Sequence, residues 1–271
     1  MTRILLLASV MLALLGGTAR AEDGYDLWLR YTRVSDPALL AEYRAAATQV
    51  VLGGDSPTLR AAREELVTGL TGLLGAAPAV RDGVSADGAI VIGTPRSSAL
   101  IRSLPFAAEL RGLGREGYLI RTTRIGGRRA IVVAANEDVG ALYGTFALLR
   151  RLQTQQSVRT LDTRDTPRVA LRVLDHWDNL DGSVERGYAG RSIWRWDSLP
   201  GGVSPRYRDY ARANASIGIN GAVLTNVNAN ARVLTPEYLD KVAAVAGVLR
   251  PYGVRVYLTA RFSAPIELGG L

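Results

Sequence analysis

The sequence of 271 residues has no cysteine and a single histidine, His176. The lack of cysteine excludes disulfides, thiolate nucleophiles and cysteine-ligated zinc. With one histidine, the chain by itself cannot form a multi-histidine metal site. Residues 92–95 (Ile-Gly-Thr-Pro) lack the lysine and the glycine spacing of a phosphate-binding loop. We therefore predict no metal and no cofactor.

Lysine is almost absent, since Lys241 is the only one, although the formal net charge is +8. A basic chain raises the question of nucleic-acid binding. The arginines that carry the charge are scattered along the sequence and form no stripe that could follow a phosphate backbone. We interpret the charge as a compositional preference for arginine and expect no nucleic-acid partner.

Long apolar runs are missing after the first 21 residues. In that segment Arg3 precedes the apolar residues 4–15, and Ala19 and Ala21 form a small-x-small cleavage site, which predicts a signal peptide at residues 1–21. The alternative is a membrane anchor, but the run is short for a transmembrane span. We expect an exported protein, periplasmic or extracellular, with no membrane attachment after cleavage. Export without cysteine favours a bacterial enzyme.

Residues 22–160 are predicted to form an α+β domain. Apolar periodicity and turn residues define its elements. We predict strands at 25–31 and 89–93, helices at 37–51, 56–74, 98–110 and 136–153, and a hairpin of 117–124 and 128–134 that turns at Gly126 and Gly127.

A polar segment, residues 160–167, marks the predicted domain boundary. After it, strand and helix patterns alternate, which is typical of a parallel α/β fold. The predicted strands are 168–175, 221–226 and 254–260, and the predicted helices are 205–216 and 235–250.

Residues 175–197 are the chemically richest stretch of the sequence. Three of the four tryptophans (Trp177, Trp194 and Trp196) lie here with His176 and several charged side chains. The stretch follows an apolar run, residues 169–174, that predicts a buried strand. Aromatic rings stack on sugars, and polar groups bind their hydroxyls and carboxylates, so the stretch indicates a sugar site. The alternative is that the tryptophans are core packing.

The run HWDNLDGSVERGYAGRSIW (residues 176–194) resembles the start of the catalytic barrel in family 67 glycoside hydrolases, the α-glucuronidases. The similarity extends downstream to INGAVLTNVNAN (219–230) and ARFSAPIELGGL (260–271), and, more weakly, upstream to GALYGTFALLRRLQ (140–153). The resemblance implies that residues 22–160 support a (β/α)8 barrel, of which residues 168–271 are the first three units, so that the chain is truncated inside the barrel.

The same resemblance implies the activity. The family removes α-1,2-linked glucuronic acid, or its 4-O-methyl ether, from xylan-derived oligosaccharides with inversion of configuration. Its catalytic carboxylates would lie beyond residue 271, so we predict no catalytic residue within this chain and no activity of the chain alone. It also allows a homodimer of the full-length protein. Two alternatives stay open: another exo-glycosidase of hexosaminidase-like architecture, and a non-catalytic sugar-binding envelope protein.

The candidate substrate-binding residues follow the first two predicted barrel strands, where barrel sites are built. Each has a functional role and a structural alternative. Trp177 would stack on a sugar, and Asp178, Asn179 and Asp181 would bind hydroxyls or form turns. Arg186 or Arg191, with Glu185 and Tyr188 nearby, would bind a carboxylate or hold the loop in a salt bridge. Asn226 and Asn228 would line the floor of the site or cap turns.

Two further groups are interpreted as non-catalytic. His176 has no identifiable orienting partner and is expected to be a packed hydrogen-bonding residue. Glu267 approaches the family's acid region without matching its motif, so we interpret it as a loop or substrate-shaping residue.

Overall fold

The computed structural model describes residues 22–269, so the signal peptide predicted for residues 1–21 lies outside the described residues. A first unit ends at Arg30, and a larger one begins at Tyr31. In the first, residues Leu27–Arg30 form a 3-10 helix, so the strand predicted at 25–31 is wrong. The left-handed φ of Leu27 (51°) interrupts the extended backbone that a strand requires. Within residues 22–269 no helix is long and apolar enough to span a membrane.

The larger unit begins with a six-stranded mixed sheet. Its strands are β1 (Gln49–Gly53), β2 (Ala79–Arg81), β3 (Ala89–Gly93), β4 (Tyr118–Ile125), β5 (Arg128–Ala135) and β6 (Asp162–Asp165). They lie in the order β2-β1-β3-β5-β4-β6. Strand β4 is antiparallel to both of its neighbours, and the other pairs are parallel.

Helices cover this sheet. They are α1 (Pro37–Ala46), α2 (Pro57–Leu74), α3 (Ala99–Arg102) and α4 (Asp138–Gln153), with a 3-10 helix at Ala107–Leu113. Helices α2 and α4 pack on each other, and a Cβ on Gly144 of α4 would lie 2.7 Å from Val133 of β5, so only glycine permits this approach. The neighbouring Val132 belongs to a second apolar cluster with Ile101 and Leu110. Both faces of the sheet are therefore covered.

The strongest local signals are confirmed. Helix α2 begins after Ser56, whose side chain accepts a hydrogen bond from the Leu59 amide (3.1 Å), and ends at Gly75 with φ 76°. Strand β3 has the predicted bounds, and the hairpin of β4 and β5 turns at Gly126 and Gly127, both with positive φ. Helix α4 is also present, beginning two residues later than predicted.

Other predictions are wrong in extent. The helix predicted at 37–51 stops at Ala46, and β1 begins at Gln49. The helix predicted at 98–110 is only α3 followed by a 3-10 helix. The predicted boundary segment contains β6, which pairs with β4, so the sheet extends to Asp165.

The second half contains a parallel three-stranded sheet with helices between the strands. Its elements are β7 (Val173–Asp175), α5 (Pro205–Ser216), β8 (Gly221–Val223), α6 (Pro236–Leu249), β9 (Arg255–Tyr257) and α7 (Ala264–Gly269). The strands lie in the order β7-β8-β9. The parallel α/β arrangement is as predicted. The strands are shorter than predicted, and the apolar run at 169–174 is not a buried strand, because Val169 and Leu171 are exposed.

A polar network joins the two sheets at Glu116, which precedes β4. Its carboxylate pairs with Arg172 and accepts a hydrogen bond from Asn220 Nδ2 at 2.9 Å. Asn220 Oδ1 in turn accepts from the Arg172 backbone amide at 2.9 Å. Because Arg172 and Asn220 directly precede the starts of β7 and β8, this network sets where the second sheet begins.

Candidate functional site

Residues 176–203, which lie between β7 and the N-cap residue Ser204 of α5, contain no helix or strand and are here called the site loop. Two isolated β-bridges, Asp178 with Val184 and Ser183 with Arg191, fold it back on itself. Gly182, at φ 81°, supplies the left-handed turn between the two halves of the first bridge. The loop is therefore defined by its side-chain and turn contacts.

The three tryptophans of the site loop divide into two environments. Trp177 is 42% exposed, whereas Trp194 and Trp196 are 1% and 2% exposed. The ring of Trp194 packs against Tyr207 (5.2 Å between centroids) and edge-on against Tyr210 (5.3 Å). Both interpretations of the sequence thus apply, but to different residues: Trp194 and Trp196 are core, and only Trp177 is available for stacking.

His176, the first residue of the site loop, is held by two hydrogen bonds. Its backbone amide donates to Val223 O (3.0 Å), and its Nε2 lies 2.7 Å from the Tyr210 hydroxyl. Burial lowers the pKa of His176 below its ordinary value of 6.5, against opposing effects of Asp178 and Asp175. The ring is therefore neutral at pH 7 and hydrogen-bonded, which is the packed role expected from the sequence.

The side chains of three candidates for binding sugar hydroxyls form hydrogen bonds with serines of the site loop. Asp178 is buried and accepts a hydrogen bond from the Ser192 hydroxyl at 2.5 Å. Asn179 donates to Ser183 Oγ (3.0 Å), and Asp181 accepts from the Ser183 amide (2.9 Å) and hydroxyl (2.6 Å). The hydrogen bonds from Ser183 lower the pKa of Asp181. In the structure all three take part in the turn-forming alternative, and Asp178 is also buried; their binding of sugar hydroxyls stays a prediction.

Glu185 has an unusual backbone for a non-glycine residue, with φ 53°. Two hydrogen bonds hold it: its amide donates to Trp177 O (2.6 Å), and its carbonyl accepts from Asn179 Nδ2 (2.7 Å). Its carboxylate accepts from the Tyr188 hydroxyl, which raises the Tyr188 pKa. Glu185 therefore links the backbone beside Trp177 to the tip of the loop.

The tip itself projects into solvent. Arg186 and Arg191 are exposed, and Tyr188 is 72% exposed. Since Arg186 follows the residue that is bonded to the Trp177 backbone, an exposed guanidinium and an exposed indole belong to one continuous part of the loop. This combination can bind an acidic sugar, with the ring stacked and the carboxylate paired.

The asparagines after β8 have different positions. Asn226 is buried. Its backbone amide donates to Asp178 O at 2.8 Å, and its Oδ1 accepts from the Asn228 backbone amide at 2.8 Å. Asn228 is exposed. Asn226 thus performs the turn-capping alternative and holds the site loop onto β8, while Asn228 is available at the surface.

Glu267 lies in the first turn of α7, after β9. Arg261 grips its carboxylate through Nε (2.6 Å) and Nη2 (2.5 Å), and the Ser263 hydroxyl adds a third hydrogen bond at 2.5 Å. The hydrogen bonds from Arg261 lower the pKa of Glu267. An ionised, paired carboxylate cannot donate a proton, so Glu267 is unsuited to the role of general acid.

A cleft of about 490 Å³ is lined largely by residues of the site loop. Arg191, Arg195 and Arg206 line it together with Asp181 and Asp197. Trp194 and Trp196 form its wall. No group of three or more metal-ligating side chains occurs within the described range 22–269.

Sequence reasoning missed the residues that hold the loop in place. Tyr210 positions His176, and Tyr207 accepts a hydrogen bond from the Arg195 amide at 2.7 Å. A usable signal was present, because positions 207 and 210 lie on one face of a helix that follows an aromatic loop. Ser192, which bonds Asp178, carries no such signal.

Family models match almost the whole chain. The glycosyl hydrolase family 67 N-terminus matches residues 27–148, and the glycosyl hydrolase family 67 middle domain matches residues 151–271. The division, at residues 149–150, falls inside α4, near its carboxyl-terminal end.

Curated relatives agree with these matches. The "Probable alpha-glucuronidase A" of Neosartorya fischeri is 36% identical over 258 residues, which are 94% of this chain and 30% of that protein. The "Alpha-glucuronidase A" of Emericella nidulans is 34% identical over 282 residues, 97% of this chain and 31% of that protein. The chain therefore spans about 30% of the length of these relatives.

Solved structures show similarity of fold. A family GH115 4-O-methyl-alpha-glucuronidase aligns with 76% of this chain and 28% of its own at a TM-score of 0.53 and 17% identity. A GH138 enzyme targeting pectin rhamnogalacturonan II aligns with 78% of this chain and 24% of its own at a TM-score of 0.50 and 17% identity. With the N-terminal and middle-domain matches together, the chain belongs to glycosyl hydrolase family 67.

Proposed function

We propose that this chain forms the supporting domain and the first part of the substrate site of an α-glucuronidase. The enzyme would release α-1,2-linked glucuronic acid, or its 4-O-methyl ether, from xylan-derived oligosaccharides with inversion. The observation that carries the proposal is the exposed Trp177, whose backbone is bonded to Glu185 beside the exposed Arg186. Membership of family 67 and the names of the curated relatives support it.

The proposed architecture is a (β/α)8 barrel. Strand β8 is paired on both sides, whereas β7 and β9 each have one partner within the described residues. A groove of about 580 Å³ beside α6 and β9 is lined by apolar residues such as Val242 and Val256 and by charged ones such as Glu137 and Arg250. Adding strands at β9 would place the site loop at the carboxyl-terminal mouth of the barrel, where barrel enzymes act.

We place the catalytic carboxylates beyond residue 271. Inverting hydrolysis requires an acid and a base across the scissile bond. Asp178 is buried in a bond to Ser192, Asp181 is held in a turn by Ser183, and Glu267 is ion-paired. The residues of this chain would bind and orient the sugar, and no step of bond cleavage is assigned to them.

The substrate, then, is an oligosaccharide bearing a terminal uronic acid. Stacking on Trp177 uses the apolar face of the pyranose, and Arg186 or Arg191 supplies the charge for its carboxylate. The apolar run at residues 4–15 supports an exported, periplasmic or extracellular location.

The test is release of glucuronic acid from aldouronic acids by the full-length protein and by this chain alone. We expect release by the full-length protein only. In the full-length protein, Arg186→Ala should raise KM, while Arg111→Ala, which removes an exposed arginine remote from the site loop, should behave as wild type. Activity of this chain alone would overturn the placement of the carboxylates, and absence of release by both would favour a non-catalytic sugar-binding protein.

A further inference from the structure

Helix α5 contacts the amino-terminal domain with one set of side chains and the site loop with another. Arg208 and Arg212, one turn apart, bond to glutamates of α2 in the amino-terminal domain. Tyr207 and Tyr210 bond to the site loop. One rigid helix thus connects the domain without site residues to the loop that carries Trp177.

The contact with the amino-terminal domain is centred on Glu65. Its side chain is 4% exposed and receives two hydrogen bonds from Arg212, from Nε at 2.5 Å and from Nη2 at 2.8 Å, as well as one from the Tyr31 hydroxyl. Burial opposes the charge of Arg212, but Glu65 outweighs it and raises the pKa of Arg212. A two-pronged pair of this kind fixes both the distance and the orientation of the helix.

The contact with the loop is centred on Trp194. Tyr207 and Tyr210 pack against its ring, the Tyr207 hydroxyl accepts from the Arg195 amide, and the Tyr210 hydroxyl meets His176 Nε2. Through these bonds α5 holds both ends of the loop segment 176–195. Trp177 is the residue next to His176, so its position depends on the position of α5.

We propose that Glu65 and Arg212 are positioning residues for sugar binding: through α5 they set the site loop in the conformation that presents Trp177. The loop has no strand ladder of its own beyond two isolated bridges, so its conformation must be imposed by what it packs against. The part of this inference that concerns sugar rests on the proposed α-glucuronidase function. The part that concerns loop order does not.

A simpler role for the pair would be general stabilisation. Two matched variants separate the alternatives. Glu64→Gln alters the neighbouring pair, Glu64 with Arg208 at 2.6 Å, which joins the same two helices but is exposed. Leu66→Ala removes buried core from the same turn of α2 and leaves Arg212 untouched.

The experiment measures hydrogen–deuterium exchange and aldouronic-acid kinetics on the full-length protein, well below the unfolding temperature of every variant. We expect Glu65→Gln and Arg212→Lys to accelerate exchange in residues 176–195. We also expect them to lower kcat/KM by roughly 10- to 100-fold, mainly through KM. Glu64→Gln and Leu66→Ala should leave both quantities near wild type. If Glu65→Gln does not fold, Tyr31→Phe removes one bond to Glu65 and should show the same direction of change at smaller size.

The outcomes are distinct for each claim. Unchanged loop exchange in Arg212→Lys and Tyr31→Phe overturns the positioning role, and so does equal acceleration in Leu66→Ala. Accelerated loop exchange in the Glu65 and Arg212 variants of a protein that neither binds nor cleaves aldouronic acids would preserve the positioning of the loop and reject the α-glucuronidase function.

Discussion

The two sheets of this protein achieve order in different ways. In the amino-terminal sheet, strands of up to eight residues pair in a continuous ladder, and apolar clusters cover both faces. In the second sheet, β7, β8 and β9 have three residues each. The long site loop that follows β7 is held by an aromatic cluster and by polar bonds to α5. The site loop therefore depends on packing against α5 for its conformation, whereas the amino-terminal sheet is ordered by its own strand pairing.

The same contrast occurs within the loop, between tryptophans that are close in sequence. Trp194 stabilises the loop because it packs against Tyr207 and Tyr210 and is buried, whereas Trp177 remains 42% exposed. Stability and binding are therefore assigned to different residues, which variants can separate.

The largest effect is expected from Trp194→Ala. Removal of a buried aromatic ring leaves a cavity, so the free energy of unfolding should fall by about 3–5 kcal/mol. Chemical denaturation monitored by circular dichroism would measure it. A loss below about 1 kcal/mol would mean that the aromatic cluster does not hold the loop.

The junction between the sheets should be the next most sensitive. Asn220 is itself buried, and Asn220→Ala removes its hydrogen bonds to the half-buried Glu116, to Ala170 O and from the half-buried Arg172 amide. We expect a loss of about 2 kcal/mol in the free energy of unfolding. The matched control is Asn228→Ala at an exposed position, with a change within about 0.5 kcal/mol. Equal effects of the two substitutions would show that the junction contributes nothing special.

Trp177→Ala should affect sugar affinity more than stability, whereas Trp194→Ala should mainly reduce stability. Because its ring is largely outside the core, we expect a loss of less than about 1 kcal/mol in stability. Affinity for an aldouronic acid should weaken by about 1.4 kcal/mol, roughly tenfold in Kd, as measured by calorimetry on the full-length protein. Unchanged affinity would remove Trp177 from the sugar site.

The smallest effect concerns pH. The pKa of His176 is lowered in the folded protein by burial, so below pH 6.5 the unfolded chain binds a proton that the folded one does not. Stability should be complete above pH 6.5 and should decline as the pH falls from there toward the folded pKa. Denaturation midpoints across this interval would show a shallower decline in His176→Phe. Identical slopes would mean that His176 is not buried as a neutral ring.

Local signals made part of the fold predictable. The Ser56-Pro57 start and Gly75 end define α2, and Gly126-Gly127 defines the hairpin, because these residues act through the backbone conformation of their own segment. Strand β1 was not predicted, since its apolar residues continue the apolar pattern of α1 without a breaking residue. Strand β6 was hidden because its polar sequence becomes a strand only by pairing with β4.

The stretch that the sequence singled out is a loop, as predicted, but which of its side chains are buried and which are exposed was not predictable. Asp178 and Arg186 are equally polar in sequence, yet one is bonded inside to Ser192 and the other faces solvent. The positioning pair was beyond the reach of sequence, since Glu65 and Arg212 are 147 residues apart.

Caps and turn glycines predict the helices and the hairpin whose ends they mark, and the residue pattern also predicts an aromatic, charged loop after a strand. Packing sets which tryptophan is exposed, which carboxylates are hydrogen-bonded and which side chains hold α5. Backbone preferences act over a few residues, whereas burial and ion pairing depend on surfaces that meet only when the chain folds.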